Sequence, residues 1–217
     1  MADLYATLFP ATFPALALAH FLALLSPGPD FFCIVGHAVR LRLRGSAFIC
    51  LGIALGNAAY ILLVVAGWAG LREIPALYRA VELAGGCYLG WLGFQLLKSS
   101  RSGRQIRLEG EEGPPPDRAA QLAKGLGSAL LNPKNAIFYL TLMTGILGAE
   151  ATLVQQAAAG VWMVSVVLIW DLCLAAGIAH PRIQKALTRK IPLIEGLAGL
   201  VLLVLAAGMV RAALLNQ

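Results

Sequence analysis

The chain has 217 residues, of which 59% are hydrophobic and 13% charged, and a mean hydropathy of +0.77; these values exclude an ordinary soluble domain. A net charge of +6 and a pI near 9.4 would suit a nucleic-acid binder. The basic residues, however, sit in the links between apolar runs, where they act as topology determinants rather than as a phosphate-binding surface. Because those runs reach the ~20 residues needed to cross a hydrocarbon core of about 30 Å, the composition implies an all-α, multi-pass membrane protein.

Residues 1–10 contain no Lys or Arg. Without a basic n-region, and with a following apolar run too long for a signal peptide, this start reads as retained. The first span is predicted over residues 11–39 and is interrupted by Ser26, Pro27, Gly28, Pro29 and Asp30. Each proline removes a backbone donor and clashes with the preceding turn, and Gly28 adds conformational freedom. At membrane depth such a break survives only where its freed carbonyls meet protein or water.

Arg40, Arg42 and Arg44 follow, and a second span is predicted over 45–67 with Gly52, Gly56 and Asn57 along it. Gly52 and Gly56 form a small-xxx-small pair that lets another helix come close. A polar link with Arg72, Glu73 and Pro75 precedes a third span over 76–97, which is rich in glycine. Residues 99–120 then change character, with Arg101, Arg104 and Arg107, an acidic cluster and Pro114, Pro115 and Pro116; this is the natural linker between two halves.

The fourth span is predicted over 121–147 and is broken at Asn132, Pro133, Lys134 and Asn135. A tight link at 148–152 leads to a fifth span over 153–179. A basic segment with Arg182, Lys185, Arg189 and Lys190, closed by Pro192, leads to a sixth over 193–215. The links after spans one, three and five carry the Lys and Arg, so the positive-inside rule places them in the cytoplasm and both termini outside. The expected organisation is a three-helix repeat in residues 1–98, a cytoplasmic linker over 99–120 and a second three-helix repeat in 121–217. An odd number of spans per half inverts one repeat relative to the other, and paired breaks in spans one and four point to a binding site between them.

Few polar side chains fall at membrane depth, where a charge costs roughly 2.5–3.5 kcal/mol on insertion scales and therefore faces protein or water. They are His20, Ser26, Asp30 and His37 in span one; Asn57 and Tyr60 in span two; and Tyr88 and Gln95 in span three. The second half adds Ser128, Asn132, Lys134, Asn135 and Tyr139 in span four and Asp171 in span five. Asp171 lies among apolar neighbours, as an ion-pair partner for Lys134, a counter-charge for a substrate ammonium group, or a proton site. Asp30 stands at the start of a half-helix, where an acid caps free N–H groups; the same groups can receive a substrate carboxylate. Asn132 offers the equivalent cap in the second half. His20 reads as a packing residue, and Cys33, Cys50, Cys87 and Cys173 as small hydrophobes without disulfide or zinc spacing. No hydrolase, protease or nucleotide-binding signature occurs, which implies no enzyme, no cofactor and no metal site.

The stretch SPGPDFFCIVGHAVRLRLRGSAFICLGIALGNAAYILLVVAG resembles the first half of the LysE/RhtB family of bacterial amino-acid exporters. GGCYLGWLGFQLLKS resembles that family's third span, and GLGSALLNPKNAIFYLTLMTGIL its fourth. The resemblance extends from Pro14 to Val210, and its motif residues are Pro27, Gly28, Pro29, Asn132, Pro133 and Lys134. It implies export of an amino acid or close derivative across the bacterial inner membrane, driven by the proton gradient. Asn57 stands where many family members carry an aspartate, which argues against a basic substrate and for a small neutral one such as threonine, homoserine or leucine. Asp30 stands where asparagine is frequent.

The resulting expectation is a secondary transporter working by alternating access, with substrate-binding residues Pro27, Gly28, Pro29, Asp30, Asn57, Asn132, Pro133, Lys134 and Asp171. Its partners would be the substrate, membrane lipids and, as an open alternative, further copies of the chain. The competing readings are a cation or metal exporter of related fold, an intramembrane enzyme, and a structural subunit of a larger complex.

Overall fold

A computed structural model describes residues 6–25, 28–41, 43–102, 117–178 and 180–215. Every regular element among them is helical. In chain order they are α1 (Phe13–Leu24), α2 (Pro29–Leu41), a 3-10 turn (Leu43–Gly45), α3 (Ala47–Arg72), α4 (Pro75–Arg101), α5 (Arg118–Leu130), α6 (Pro133–Thr141), a π-helical turn (Leu142–Leu147), α7 (Leu153–Ile178) and α8 (Pro181–Leu215). Three segments are long and apolar enough to cross a membrane: Ala47–Gly67 in α3, the whole of α7, and Arg189–Leu215 in α8. Helices α1 and α2, bent by 53° to one another, make a fourth if they are one span. Helix α4 has the length, at 27 residues, but Glu82, Tyr88, Gln95 and its glycines dilute its apolar character.

The helix ends follow from local chemistry. Pro75 opens α4 and Pro181 opens α8, each at a first-turn position where a missing N–H costs nothing. The Asp117 carboxylate accepts from the Ala120 N–H at 2.6 Å and caps α5. The expected link around 180–192 is instead helical, and Pro192 lies inside α8: Pro181 starts the helix early, and one lost backbone bond at Pro192 is outweighed by the 35-residue run around it. Pro27 and most of the 99–120 linker, including Pro114, Pro115 and Pro116, lie outside the described residues.

Close helix contacts fix the relative directions. Along α4 and α8, Gly86 lies against Val210, Gly90 against Ala206, and Ser99 donates to Glu195 at 3.1 Å. One number rises as the other falls, so the two helices are antiparallel. At the crossing, a Cβ on Gly93 would meet the Gly199 carbonyl at 2.8 Å, and one on Gly199 would meet the Gly93 carbonyl at 2.7 Å. Between α3 and α5 the numbers rise together: Gly52 faces Leu122 and Gly125, and Gly56 faces Ala129. These helices are parallel, and the small-xxx-small pair of α3 is the surface that meets α5.

A Cβ on Gly125 would strike the carbonyl oxygen of Ile49, a backbone atom with nowhere to move. Gly125→Ala is therefore expected to destabilise the protein by about 1–3 kcal/mol, read as an earlier thermal transition in detergent. An unchanged transition would contradict the close approach of α3 and α5.

Two apolar clusters fill the bundle. One gathers Leu16, Leu89, Leu142, Met143, Met163 and Leu202 from α1, α4, α7, α8 and the π-helical turn. The other gathers Ile34, Val35, Ile49, Ile53, Val167 and Ile178 from α2, α3 and α7. Helix α7 passes from the first to the second, and the polar positions treated below fall between them. The outward faces carry apolar side chains such as Leu62, Val161, Ile169, Leu193 and Val204, as a lipid-facing surface requires. Of the four cysteines Cys50 is buried and Cys33 partly so, while Cys87 and Cys173 are exposed on this outer surface.

Candidate functional site

A cavity of about 70 Å³ opens where α1, α2, α3, α6 and α7 converge, with room for about two water molecules. Each helix contributes one face at helical spacing: His20, Ala23 and Leu24 from α1; Ile53 and Asn57 from α3; Asn135, Phe138 and Tyr139 from α6; and Val167, Trp170, Asp171 and Leu174 from α7. Gly28, Asp30, Phe31, Asn132 and Lys134 complete the wall. Six of the nine residues expected from sequence therefore share one cavity: Gly28, Asp30, Asn57, Asn132, Lys134 and Asp171. Pro29 instead borders a separate groove of about 460 Å³ with Cys33, Lys124 and Leu131. Pro133 opens α6, and Pro27 lies outside the described residues.

The second break shows how an interrupted helix is tolerated in an apolar setting. In an unbroken helix the N–H of residue 133 would bond Ala129 and that of Lys134 would bond Leu130. Proline has no N–H, and the Lys134 N–H turns to the Asn132 side-chain oxygen at 3.2 Å. The stranded carbonyls find other donors: Asn135 Nδ2 reaches the Ala129 oxygen at 3.2 Å, and the Tyr60 hydroxyl reaches the Leu130 oxygen at 2.6 Å. Tyr88 donates to the Lys134 carbonyl at 3.2 Å. Asn132 is thus the cap expected from sequence, and Tyr60 and Tyr88 brace the break rather than line the cavity.

Asp30 behaves differently from the expected cap. Its carboxylate accepts from the Ser128 hydroxyl on α5 at 2.5 Å and from Asn135 Nδ2 on α6 at 3.2 Å. An acid at the first break is thereby tied to both sides of the second. Lys134 lines the same cavity.

Asp171 is buried, with 5% of its surface exposed, and its Oδ2 has no hydrogen-bond partner. The arrangement leaves one acid with an uncompensated oxygen on the wall of a polar cavity. Asn57, also buried, ties its Nδ2 to the Ile53 carbonyl at 3.0 Å. His37 is buried beside the Cys33 carbonyl on α2 and does not line the cavity, and Gln95 is exposed.

Sequence reasoning assigned His20 to packing, yet it lines the cavity and neither ring nitrogen has a partner. Phe31, Phe138 and Trp170 were not singled out at all. For Phe138 the signal is the i+3 and i+4 spacing to Asn135 and Lys134; Phe31 and Trp170 are the sequence neighbours of Asp30 and Asp171.

An all-helical bundle in which two interrupted helices meet at a polar cavity between apolar clusters is the architecture of a membrane transporter. The chain belongs to the family of LysE type translocators, whose pattern it matches over residues 21–213, and is a transporter rather than an enzyme. It is 27% identical over 193 residues to the threonine efflux protein of Escherichia coli (strain K12), covering 86% of this chain and 91% of that one. The threonine efflux protein of Salmonella typhi is 26% identical over 196 residues, with the same coverage. An uncharacterized membrane protein of Haemophilus influenzae is 32% identical over 134 residues, 61% of this chain and 64% of its own. No solved structure matches the chain.

Proposed function

We propose that the protein exports small neutral amino acids of the threonine and homoserine kind, or close derivatives, from the bacterial cytoplasm across the inner membrane, using the proton gradient. The observation that carries this reading is the unpartnered Asp171 oxygen on the cavity wall, together with Lys134 and the helix starts at Pro29 and Pro133. A zwitterion needs one acid and one region of positive potential a few ångströms apart. Asp171 supplies the first and Lys134, in the first turn of α6, the second. Asp30 is already engaged by Ser128 and Asn135, so one acid alone remains for an ammonium group or a proton. The names of the two threonine efflux relatives support the same substrate class.

The working architecture is six spans: α1 with α2, α3, α4, α5 with α6, α7 and α8, arranged as an inverted 3+3 repeat. The antiparallel packing of α4 and α8 supports it, because reciprocal contacts at Gly93 and Gly199 are what a two-fold axis between equivalent helices would produce. The parallel packing of α3 and α5 gives spans two and four the same direction, as alternation requires. Export then proceeds by rocking of one repeat against the other around the cavity. Asp30, joined to span four through Ser128 and Asn135, closes one side and must release them for that side to open.

Counterflow in proteoliposomes containing this chain alone tests the substrate. Labelled threonine and homoserine are expected to accumulate against unlabelled substrate inside, while lysine and arginine are not; preference for the basic amino acids would overturn the reading. Topology is tested separately in a background lacking the four cysteines. A cysteine replacing Arg104 is expected to react with an impermeant thiol reagent only after membranes are opened, and one replacing Ala149 in intact cells. The reverse pattern would remove the inverted repeat.

A further inference from the structure

The cavity has two unlike ends. Asp30, Asn132 and Lys134 gather at the helix breaks, whereas His20 sits two turns earlier on α1, completely buried, with ring centroids 6.3 Å from Phe138, 6.0 Å from Tyr139 and 5.7 Å from Trp162. Neither His20 Nδ1 nor Nε2 has a hydrogen-bond partner. A buried polar group without a partner carries an uncompensated desolvation cost, and here the group lines the polar cavity.

We propose that His20 is a specificity-determining residue that hydrogen-bonds the side-chain hydroxyl of the transported amino acid, so that the site prefers a β- or γ-hydroxy amino acid over its hydrocarbon isostere. The inference rests on the export reading above and adds to it the group that reads the side chain. With the zwitterion held by Asp171 and the breaks, the side chain points toward the aromatic end, where the unpartnered polar group is the His20 imidazole. A neutral imidazole offers a donor on one nitrogen and an acceptor on the other, and a hydroxyl rotates to meet either. Whichever nitrogen faces the cavity is therefore satisfied by a hydroxyl and left unsatisfied by a methyl group. Aromatic rings alone would accept valine as readily as threonine, because a hydrophobic pocket discriminates weakly between isosteres.

The test is the ratio of threonine to valine counterflow in proteoliposomes of the unmodified protein, His20→Phe and His20→Gln. The unmodified protein is expected to favour threonine. In His20→Phe the ratio should fall about tenfold or more while valine transport persists, and His20→Gln, which keeps a donor and an acceptor, should retain most of the preference. Should His20→Phe fail to reach the membrane, His20→Leu is read against His20→Gln in the same way. A ratio unchanged in the apolar variant, or an equal loss of both amino acids in every variant, reduces His20 to ring packing and overturns the inference. So does an unmodified protein that moves threonine and valine alike, although export itself then stands. No amino-acid counterflow by the unmodified protein would overturn the export reading and this inference together.

Discussion

Asp171→Asn is expected to reduce gradient-driven export about 100-fold, equivalent to about 3 kcal/mol, with the protein still present in the membrane. The side chain is buried and its Oδ2 unpartnered, so asparagine fits the space but removes the charge that an ammonium group or proton would use. Two readouts separate these roles. If Asp171 carries the coupling proton, exchange of substrate between the two sides survives in Asp171→Asn although uphill export stops. If it holds the ammonium group, exchange and export fail together. A third role, neutralising Lys134, predicts that Asp171→Asn combined with Lys134→Gln recovers export lost in each single variant. The Asp171 Oδ2 has no hydrogen-bond partner, so no recovery is expected. Full export by Asp171→Asn would remove this residue from the mechanism and shift the role to Asp30.

Gly28→Leu is expected to abolish transport without loss of folded protein, for a reason the structure makes specific. A Cβ at Gly28 would meet nothing within 4 Å, so the first side-chain carbon is accommodated without moving the backbone. Gly28 also lines a cavity of only about 70 Å³, which the added side chain would occupy. Gly28→Ala, smaller by three carbons, should keep substantial activity. Asn132→Leu should also abolish transport, but by losing the cap on α6, worth about 0.5–2 kcal/mol, as well as a polar wall; Asn132→Asp keeps the cap and should fold as the unmodified protein does. Full counterflow by Gly28→Leu would show that substrate does not pass this point.

Much of the architecture was legible from local features. Apolar run length predicted helices close to where α3, α4 and α7 lie, and proline chemistry predicted the breaks that end α1 near Leu24 and separate α5 from α6. The small-xxx-small pair in α3 predicted a close neighbour without naming α5. Less was legible for Asp30: a carboxylate one residue after a proline at a helix start has the local features of a cap, and only the arrival of Ser128 and Asn135 from 98 and 105 residues away offers it better donors. The place of His20 on the cavity wall was not legible for the same reason. Histidine on an apolar helix packs or binds according to what lies opposite, and the facing residues come from α6 and α7.

The sequence by itself determined that this is a helical membrane protein with two interrupted helices, and it named most of the polar residues that matter, because run length, proline geometry and the cost of burying charge act within a few residues of chain. The tertiary structure alone decided which of those residues meet. Hydrogen bonds and cavity walls form between helices distant in sequence, and their partners are set by packing: glycine contacts draw α3 onto α5 and α4 onto α8, and the convergence of α1, α2, α3, α6 and α7 brings His20, Asp171 and Lys134 to one cavity.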